Sequence, residues 1–525
     1  MLTQQPFGKI ALSLSGGGYR AAGFHLGVLD MLNRLDLLKD VSALSTVSGG
    51  TFTGMRYALS QKANEPFRVF FEKFKGDLLS VDIVDLALAK LSKGAPAIPS
   101  GRWDVITACA QVYDEKFFTR QRFNVFWEEP AIHLTELIFN ATEFRTAVAF
   151  RFQKSESRLA RIGNGNVSIT TDQARQLRLA DIAAASSCFP GGFEPLSFPD
   201  DFDWPDTPEG AAALKEVQAE IGTPLPLMDG GVYDNQGMGS LILGLKPRLK
   251  DFGLFIFSDT NPEMHDLYQL PKPRPQGWLR LWHLKVFWWF LLILALLTLA
   301  VTARFAGVPW HLSRDLLHWL PLAPPLVTVV ALIWLQRKIA VALCRVPKVE
   351  GSVWRFVKNL KVNQFIDMME LRISSLLALT SSVFMRRIRQ MVYTSVLNNE
   401  DFKGRTLPVS IYNLLEAKPW LPPLEWLTPT PAMQKIALAA DTLPTTLWFT
   451  APEQLPHLIA AGQITICRKV ILHILSPCEN NPDKIPPNLL IPPNLLPLYE
   501  RARTLLQKLA ADPCALVEPA EPAPQ

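Results

Sequence analysis

The sequence predicts an α/β fold. A mostly parallel central sheet carries helices on both faces, an apolar helical hairpin is inserted after it, and a mainly helical region follows. Three observations lead there. Between residues 8 and 262, short apolar runs alternate with stretches of helical periodicity, the pattern of strands interleaved with helices. Two of those runs stop at glycine-rich turns, "LSLSGGGYRA" and "STVSGG", from which helical patterns start. The hydrophobic excess of a chain that is 48% hydrophobic over 525 residues sits downstream of these turns.

Taken in order, the expected strands are Ile10–Leu14, Ala43–Val47, Leu134–Thr142, Pro226–Asp229 and Leu254–Asp259, with helices such as Ala21–Arg34 and Thr51–Gln61 between them. The stretch Val286–Ala303, "VFWWFLLILALLTLAVTA", has no charge and is about the minimum length to cross a ~30 Å hydrocarbon core. Trp288 and Trp289 lie near one end, as interfacial aromatics do. A second apolar stretch, Trp319–Leu335, is interrupted by Pro321, Pro324 and Pro325. The two make a membrane hairpin over 278–345, with spans at about 286–303 and 319–335. Lys272, Arg274, Arg280 and Lys285 precede it and Arg337, Lys338, Arg345 and Lys348 follow it, while the connecting loop carries only Arg304 and Arg314. That asymmetry places the globular parts on the cytoplasmic side of a membrane. A helical hairpin buried in a core and a hairpin dipping into one leaflet are the alternatives. Residues 351–511 read as mainly helical, with "LPVSIYNLL" as a strand and Trp420–Pro431 as a proline-rich loop, and part of this region is available to complete the first domain. Residues 512–525 form a Pro/Ala/Glu tail, expected to be disordered.

The net charge of +5 is spread without a polybasic block, so nucleic acid is not an expected partner. The six cysteines form no CxxC and no Cys/His cluster. Neither a metal site nor a disulfide framework is expected, and reduced thiols in the cytosol are the simplest reading. The N-terminus enters a strand almost at once, so no cleavable signal segment is expected.

The glycine turn Gly16-Gly17-Gly18 has two chemical readings. Gly16, Gly18 and Ala21 satisfy G-x-G-x-x-[G/A], a nucleotide-phosphate turn. That fold also wants an acidic residue closing the second strand, and here the second strand ends in serine and glycine. In the other reading the turn is an oxyanion hole, where backbone N–H groups meet charge that develops on a carbonyl oxygen. This demands a nucleophile on a neighbouring strand end. Ser48 in Thr46-Val47-Ser48-Gly49-Gly50 supplies one, at a strand-to-helix turn that exposes its hydroxyl; the alternative for Ser48 is a helix N-cap. A serine also needs a base. The run "PLPLMDGGVYDNQG" stops at Asp229-Gly230-Gly231, another strand end, where Asp229 is either that base or a turn former. The eight histidines offer no obvious partner set, and His25 reads as a packed or exposed helix residue. The candidate is a Ser–Asp dyad without histidine.

These residues resemble the patatin-like phospholipase family. "SGGGYRA" is similar to its G-G-G-x-R-G signature, with Ala21 for the last glycine. "TVSGG" is similar to its G-x-S-x-G elbow, with Thr46 for the first glycine. "AAASSCFPGGFEP" (Ala183–Pro195) resembles its Ala/Ser-rich segment, and "DGGVYDN" its D-G-G/A motif. The resemblance covers roughly residues 8–260. It implies a three-layer sandwich and acyl ester hydrolysis of membrane glycerolipids without metal or cofactor. It also implies Ser48 as nucleophile, Asp229 as base and the backbone of Gly16, Gly17 and Gly18 as oxyanion hole, with Arg20, Gly49, Gly50, Gly230 and Gly231 supporting. For Arg20 a lipid phosphate contact and a loop brace are both open. Thr46 puts a β-branched residue at a crowded position of the elbow. A membrane-anchored lipid acyl hydrolase (phospholipase A or lysophospholipase type) is therefore expected. A catalytically weak or inactive membrane scaffold and a nucleotide-binding α/β protein are the alternatives, and no protein partner is readable.

Overall fold

The computed structural model describes residues 5–94, 100–157, 160–261, 283–305, 330, 359–379, 383–415, 417, 424–475 and 491–518. The chain forms two compact units, Met1–His265 with Val383–Gln525, and Asp266–Ser382.

The first unit is built on a ten-stranded sheet. Its strands are β1 (Lys9–Leu14), β2 (Val41–Val47), β3 (Glu136–Glu143), β4 (Val148–Lys154), β5 (Ile162–Gly163), β6 (Ser168–Ile169), β7 (Leu196–Phe198), β8 (Leu225–Asp229), β9 (Phe252–Asp259) and β10 (Thr406–Ser410). The order is β10-β9-β1-β2-β3-β4-β5-β6, with β8 also on β3 and β7 on β8. From β10 to β3 every neighbour is parallel; β4 to β8 pair antiparallel. The five expected strands are present. The hairpin β3–β4 and the short strands β5 to β7 extend the sheet on its antiparallel side.

Strand alternation sends side chains to opposite faces, and two cores result. Ile10, Leu12, Leu14, Leu44 and Ile256 join the larger cluster. Ala11, Ala43, Phe255 and Phe257 join a smaller one with Met238 and Leu241. Covering both faces is what a parallel sheet requires. On the larger face, α1 (Gly18–Arg34) and α2 (Gly49–Lys62) follow β1 and β2 directly. Helix Gln454–Leu475 lies across α1. Among the described residues it is the one helix long and apolar enough to cross a membrane, yet it is buried almost throughout.

Two features position the site. First, β1 has β2 on one side and β9 on the other. Its C-terminal end is therefore the point where strand order reverses, the usual ligand site of such sheets. Second, β2 pairs with β3 as far as Val47↔Asn140, and β8 takes over with Asp229↔Ala141. Because β4 occupies the other edge of β3, β2 and β8 share one edge. They run in opposite directions and meet C-terminus to C-terminus.

Residues 512–518 correct the expected tail. Leu516 and Val517 are buried, and the Leu516 carbonyl accepts from Arg34 Nη2 (3.2 Å) and Gln463 Nε2 (3.3 Å). Two apolar side chains suffice to dock the segment, whereas composition alone reads as tail. Residues 519–525 lie outside the described residues.

In the second unit, Leu284–Phe305 is one continuous helix and Val362–Ala378 another. His283 Nδ1 hydrogen-bonds the Asn359 carbonyl (2.7 Å), tying the two approaches together. Trp289, Ile293, Leu294, Leu297 and Val301 are exposed along the first helix. The second expected span, 319–335, lies outside the described residues except for residue 330, so a hairpin is not shown.

Candidate active site

Ser48 sits at φ 50°, ψ −119°, a strained conformation for a residue with a side chain. The strain persists because both flanks are fixed. β2 ends in the sheet at Val47, and α2 starts at once, with Thr51 N–H on the Ser48 carbonyl at 2.8 Å. Gly49 lets that first turn sit against the glycine turn, since a Cβ there would fall 2.1 Å from the Gly18 carbonyl oxygen. Gly50 lies one residue further along α2.

Asp229 ends β8 opposite Ala141. Gly231 N–H donates to its Oδ1 at 2.7 Å. Burial pushes the carboxyl up to about 6, while the Gly231 N–H and the neighbouring Ser48 hydroxyl pull it back toward the charged form. Ser48 and Asp229 are both nearly excluded from water, at 7% and 4% exposure.

The Ala/Ser-rich segment ties the two strand ends together. Ser186 Oγ accepts from Ser48 N–H (2.9 Å), and the Ser186 carbonyl accepts from Gly230 N–H (3.2 Å). The Cys188 carbonyl accepts from Asp229 N–H (3.1 Å). Thr46 belongs to the same network: its hydroxyl bonds Thr51 Oγ1 (3.0 Å), which bonds Ser186 Oγ (2.9 Å). Its methyl fits because position 54 is glycine; a Cβ there would lie 2.5 Å from Thr46 Cγ2. The β-branched residue that departs from the family pattern thus has its own pocket on α2.

The glycine turn is pinned from three sides. Gly17 and Gly18 have positive φ, 142° and 57°, which only glycine adopts freely. Gly16 N–H is taken by the Asn235 carbonyl (3.0 Å), and Tyr19 N–H by the Thr446 carbonyl (2.8 Å). Among the described residues, Gly17 and Gly18 are the members of the turn whose N–H groups have no such partner. Gly16 instead braces the turn, which corrects its expected role as a donor. Thr260 Oγ1 donates to the Gly16 carbonyl (2.9 Å).

Arg20 is buried and donates from Nη1 to the Leu443 carbonyl (2.7 Å), so it braces the loop that carries Thr446. His25 is buried between the Ser15 carbonyl (2.9 Å from Nε2) and Ser258 Oγ (2.8 Å from Nδ1). Burial pushes it down to about 4; it is a neutral strut behind the turn. Ser186, Asn235, Thr260 and Thr446 also act on the site, and no residue-type pattern in the sequence marks them. Ser186 lies in the Ala/Ser-rich segment and Asn235 in the DGGVYDN motif. Thr446 arrives from a distant loop that no local pattern connects to Gly18.

Among the described residues no group of three or more His, Cys, Asp or Glu is arranged to hold a metal ion. A cavity of about 340 Å³ lined by Asp114, Asp181, Asp203, Arg120 and Arg178 shares no residue with the Ser48 site. The site sets a buried hydroxyl and a buried carboxylate at two facing strand ends, beside a glycine turn.

No curated protein matches the chain. Among solved structures, human GIVD cytosolic phospholipase A2 is similar at 14% identity with a TM-score of 0.25, over 47% of this chain and 42% of that one. The chain thus aligns with less than half of that protein's length. Residues 12–242, which include all four motifs, match the sequence model of the patatin-like phospholipases. Over that stretch the chain is similar to a patatin-like phospholipase domain.

Proposed function

We propose that the chain is a serine lipid acyl hydrolase of the phospholipase A or lysophospholipase type, held at a membrane by its apolar insertion. Ser48 is the nucleophile and Asp229 the base. The observation that carries this reading is the meeting of β2 and β8 end to end, with a strained, buried Ser48 at the end of one and a buried carboxylate at the end of the other.

Asp229 accepts the Ser48 proton as Oγ attacks the ester carbonyl carbon. The tetrahedral oxyanion is held by Gly17 and Gly18 N–H, a contribution of about 3 kcal/mol per donor in comparable sites. Collapse breaks the bond to the alcohol, which leaves with the proton from Asp229. Asp229 then takes a proton from water as the hydroxide attacks the acyl-serine; collapse of this second tetrahedral intermediate breaks the bond between the acyl carbon and Ser48 Oγ, Asp229 returns the proton to Oγ, and fatty acid and free Ser48 result. Burial keeps competing water out and strengthens each electrostatic contact. The nucleotide reading is disfavoured by the loop at Thr446, which caps the start of α1 where a pyrophosphate would sit.

The test is incubation of the full-length protein with mixed-lipid vesicles and mass spectrometry of released products. Wild type is expected to release fatty acid and lysolipid, and Ser48→Ala to lose at least about 10³-fold in rate. Equal release from both proteins, or none from either, removes the reading; the second outcome favours a membrane scaffold.

A further inference from the structure

At the end of β9 lies a buried ion pair outside the dyad. Asp259 is fully buried. Its Oδ2 accepts from Arg389 Nε (2.7 Å), Tyr393 Oη (3.2 Å) and Gln236 Nε2 (3.3 Å), and its Oδ1 from Asn261 N–H (3.0 Å). Arg389 comes from helix Phe384–Leu397, the first element of this unit after the insertion. Its guanidinium donates to Tyr412 Oη (3.1 Å) and lies over the Tyr393 and Tyr412 rings.

The residues around Asp259 reach both loops of the site. Ser258 Oγ bonds His25, which holds the Ser15 carbonyl. Thr260 N–H donates to Ser15 Oγ (3.0 Å) and its hydroxyl to the Gly16 carbonyl (2.9 Å). Asn261 Oδ1 accepts from Asn235 Nδ2 (3.2 Å), and the Asn235 carbonyl takes Gly16 N–H. Gln236 and Asn235 close the segment that starts at Asp229. One corner, residues 258–261, therefore braces the glycine turn and the Asp229 segment together. A carboxylate buried at its centre is tolerable only while paired.

We propose that Arg389 is a positioning residue for acyl transfer: by pairing with Asp259 it fixes the corner that aligns the glycine turn with the Asp229 segment. This rests on the hydrolase reading above. Arg389 lies beyond the residues that match the family. The chain leaves this unit after residue 265 and re-enters it just before Arg389. Small displacements of an oxyanion donor are costly; about 1 Å can lose 10²-fold in rate.

The experiment compares full-length wild type and Arg389→Gln in detergent. Amide hydrogen exchange is followed by mass spectrometry, and kcat and KM are measured on a soluble short-chain ester. Exchange is expected to accelerate at least about tenfold in peptides covering 15–19 and 230–237 and to stay unchanged in β3 and β4. The kcat is expected to fall about 10- to 100-fold with KM within about twofold. Unchanged exchange in both peptides together with unchanged kcat overturns the proposal, as does a general rise in exchange with kcat and KM both altered. If Arg389→Gln does not fold, Tyr393→Phe, which removes one of the bonds to Asp259, carries the test: a smaller acceleration at the same two peptides supports it, and none overturns it. If exchange responds as stated while wild type hydrolyses no ester and Ser48 takes no fluorophosphonate label, the bracing stands and the hydrolase reading falls.

Discussion

Asp229 carries a conflict between folding and chemistry. In the folded chain its carboxyl titrates at about 6, against 3.8 for the free side chain, chiefly because it is buried. The folded state therefore holds the proton more tightly than the unfolded state. Stability is fullest below about pH 4 and is lost as pH rises through about 6, by about 3 kcal/mol in the limit. A base must be ionised, so kcat/KM on a soluble ester is expected to rise through about pH 6 and level off above it. Asp229→Asn removes the charge while its side-chain oxygen still accepts from Gly231 N–H. It is expected to abolish hydrolysis and to raise the melting temperature at pH 8 but not at pH 4, as thermal unfolding at the two pH values will report. An equal effect at both would show that the charge is not what burial opposes.

At the scale of elements, Thr46 on β2 and Gly54 on α2 form a matched pair. Alanine at position 54 meets Thr46 Cγ2, and overpacking costs about 1–3 kcal/mol. Replacing a helical glycine by alanine gains about 1 kcal/mol in propensity. Gly54→Ala is thus expected to be neutral or destabilising by up to about 2 kcal/mol in the wild type. In a Thr46→Ser background, which keeps the hydroxyl and removes the methyl, it is expected to stabilise by up to about 1 kcal/mol. Denaturant titration of the four proteins measures the coupling; additive effects would mean that α2 shifts freely. A similar fit sets α1 on helix Gln454–Leu475. A Cβ on Gly27 would lie 2.0 Å from the Ile459 carbonyl oxygen, and one on Gly462 2.2 Å from that of Phe24. With backbones that close, the most apolar long helix of this unit is spent on the core.

For the whole molecule, the sheet needs residues from both sides of the insertion, because β10 and helix Gln454–Leu475 follow it in sequence. Among the described residues the insertion contributes no strand to that sheet. If its apolar helix holds the protein in a bilayer, the full-length chain is expected to stay in the membrane pellet through high salt and alkaline carbonate. Detergent should release it, since buried apolar area is not screened by ions. Replacing Trp282–Leu335 by a short Gly/Ser linker is expected to give a more soluble protein. It should still cleave a short-chain ester, while its activity on bilayer lipid falls much further. Extraction of the intact chain by salt alone, with misfolding of the deletion, would make the insertion part of a core.

The sequence by itself determined the class of fold, the strands that end at Leu14, Val47, Asp229 and Asp259, and the residue types waiting at those ends. It could do so because strand period, glycine turns and chemical type are local properties. It also carried the apolar stretch at Val286–Ala303, although length and hydropathy alone cannot separate such a stretch from helix Gln454–Leu475; packing on α1 does that. Only the tertiary structure decided that β8 meets β2 head to head on the edge of β3, which brings Ser48 to Asp229. Only it showed that Gly16 spends its N–H on Asn235, and that Leu516 and Val517 dock what composition reads as a tail. The loop at Thr446 and the ion pair of Asp259 with Arg389 reach the glycine turn from the far end of the chain. Such contacts join residues well over a hundred positions apart, and their register is set by how whole elements pack, which no window along the sequence contains.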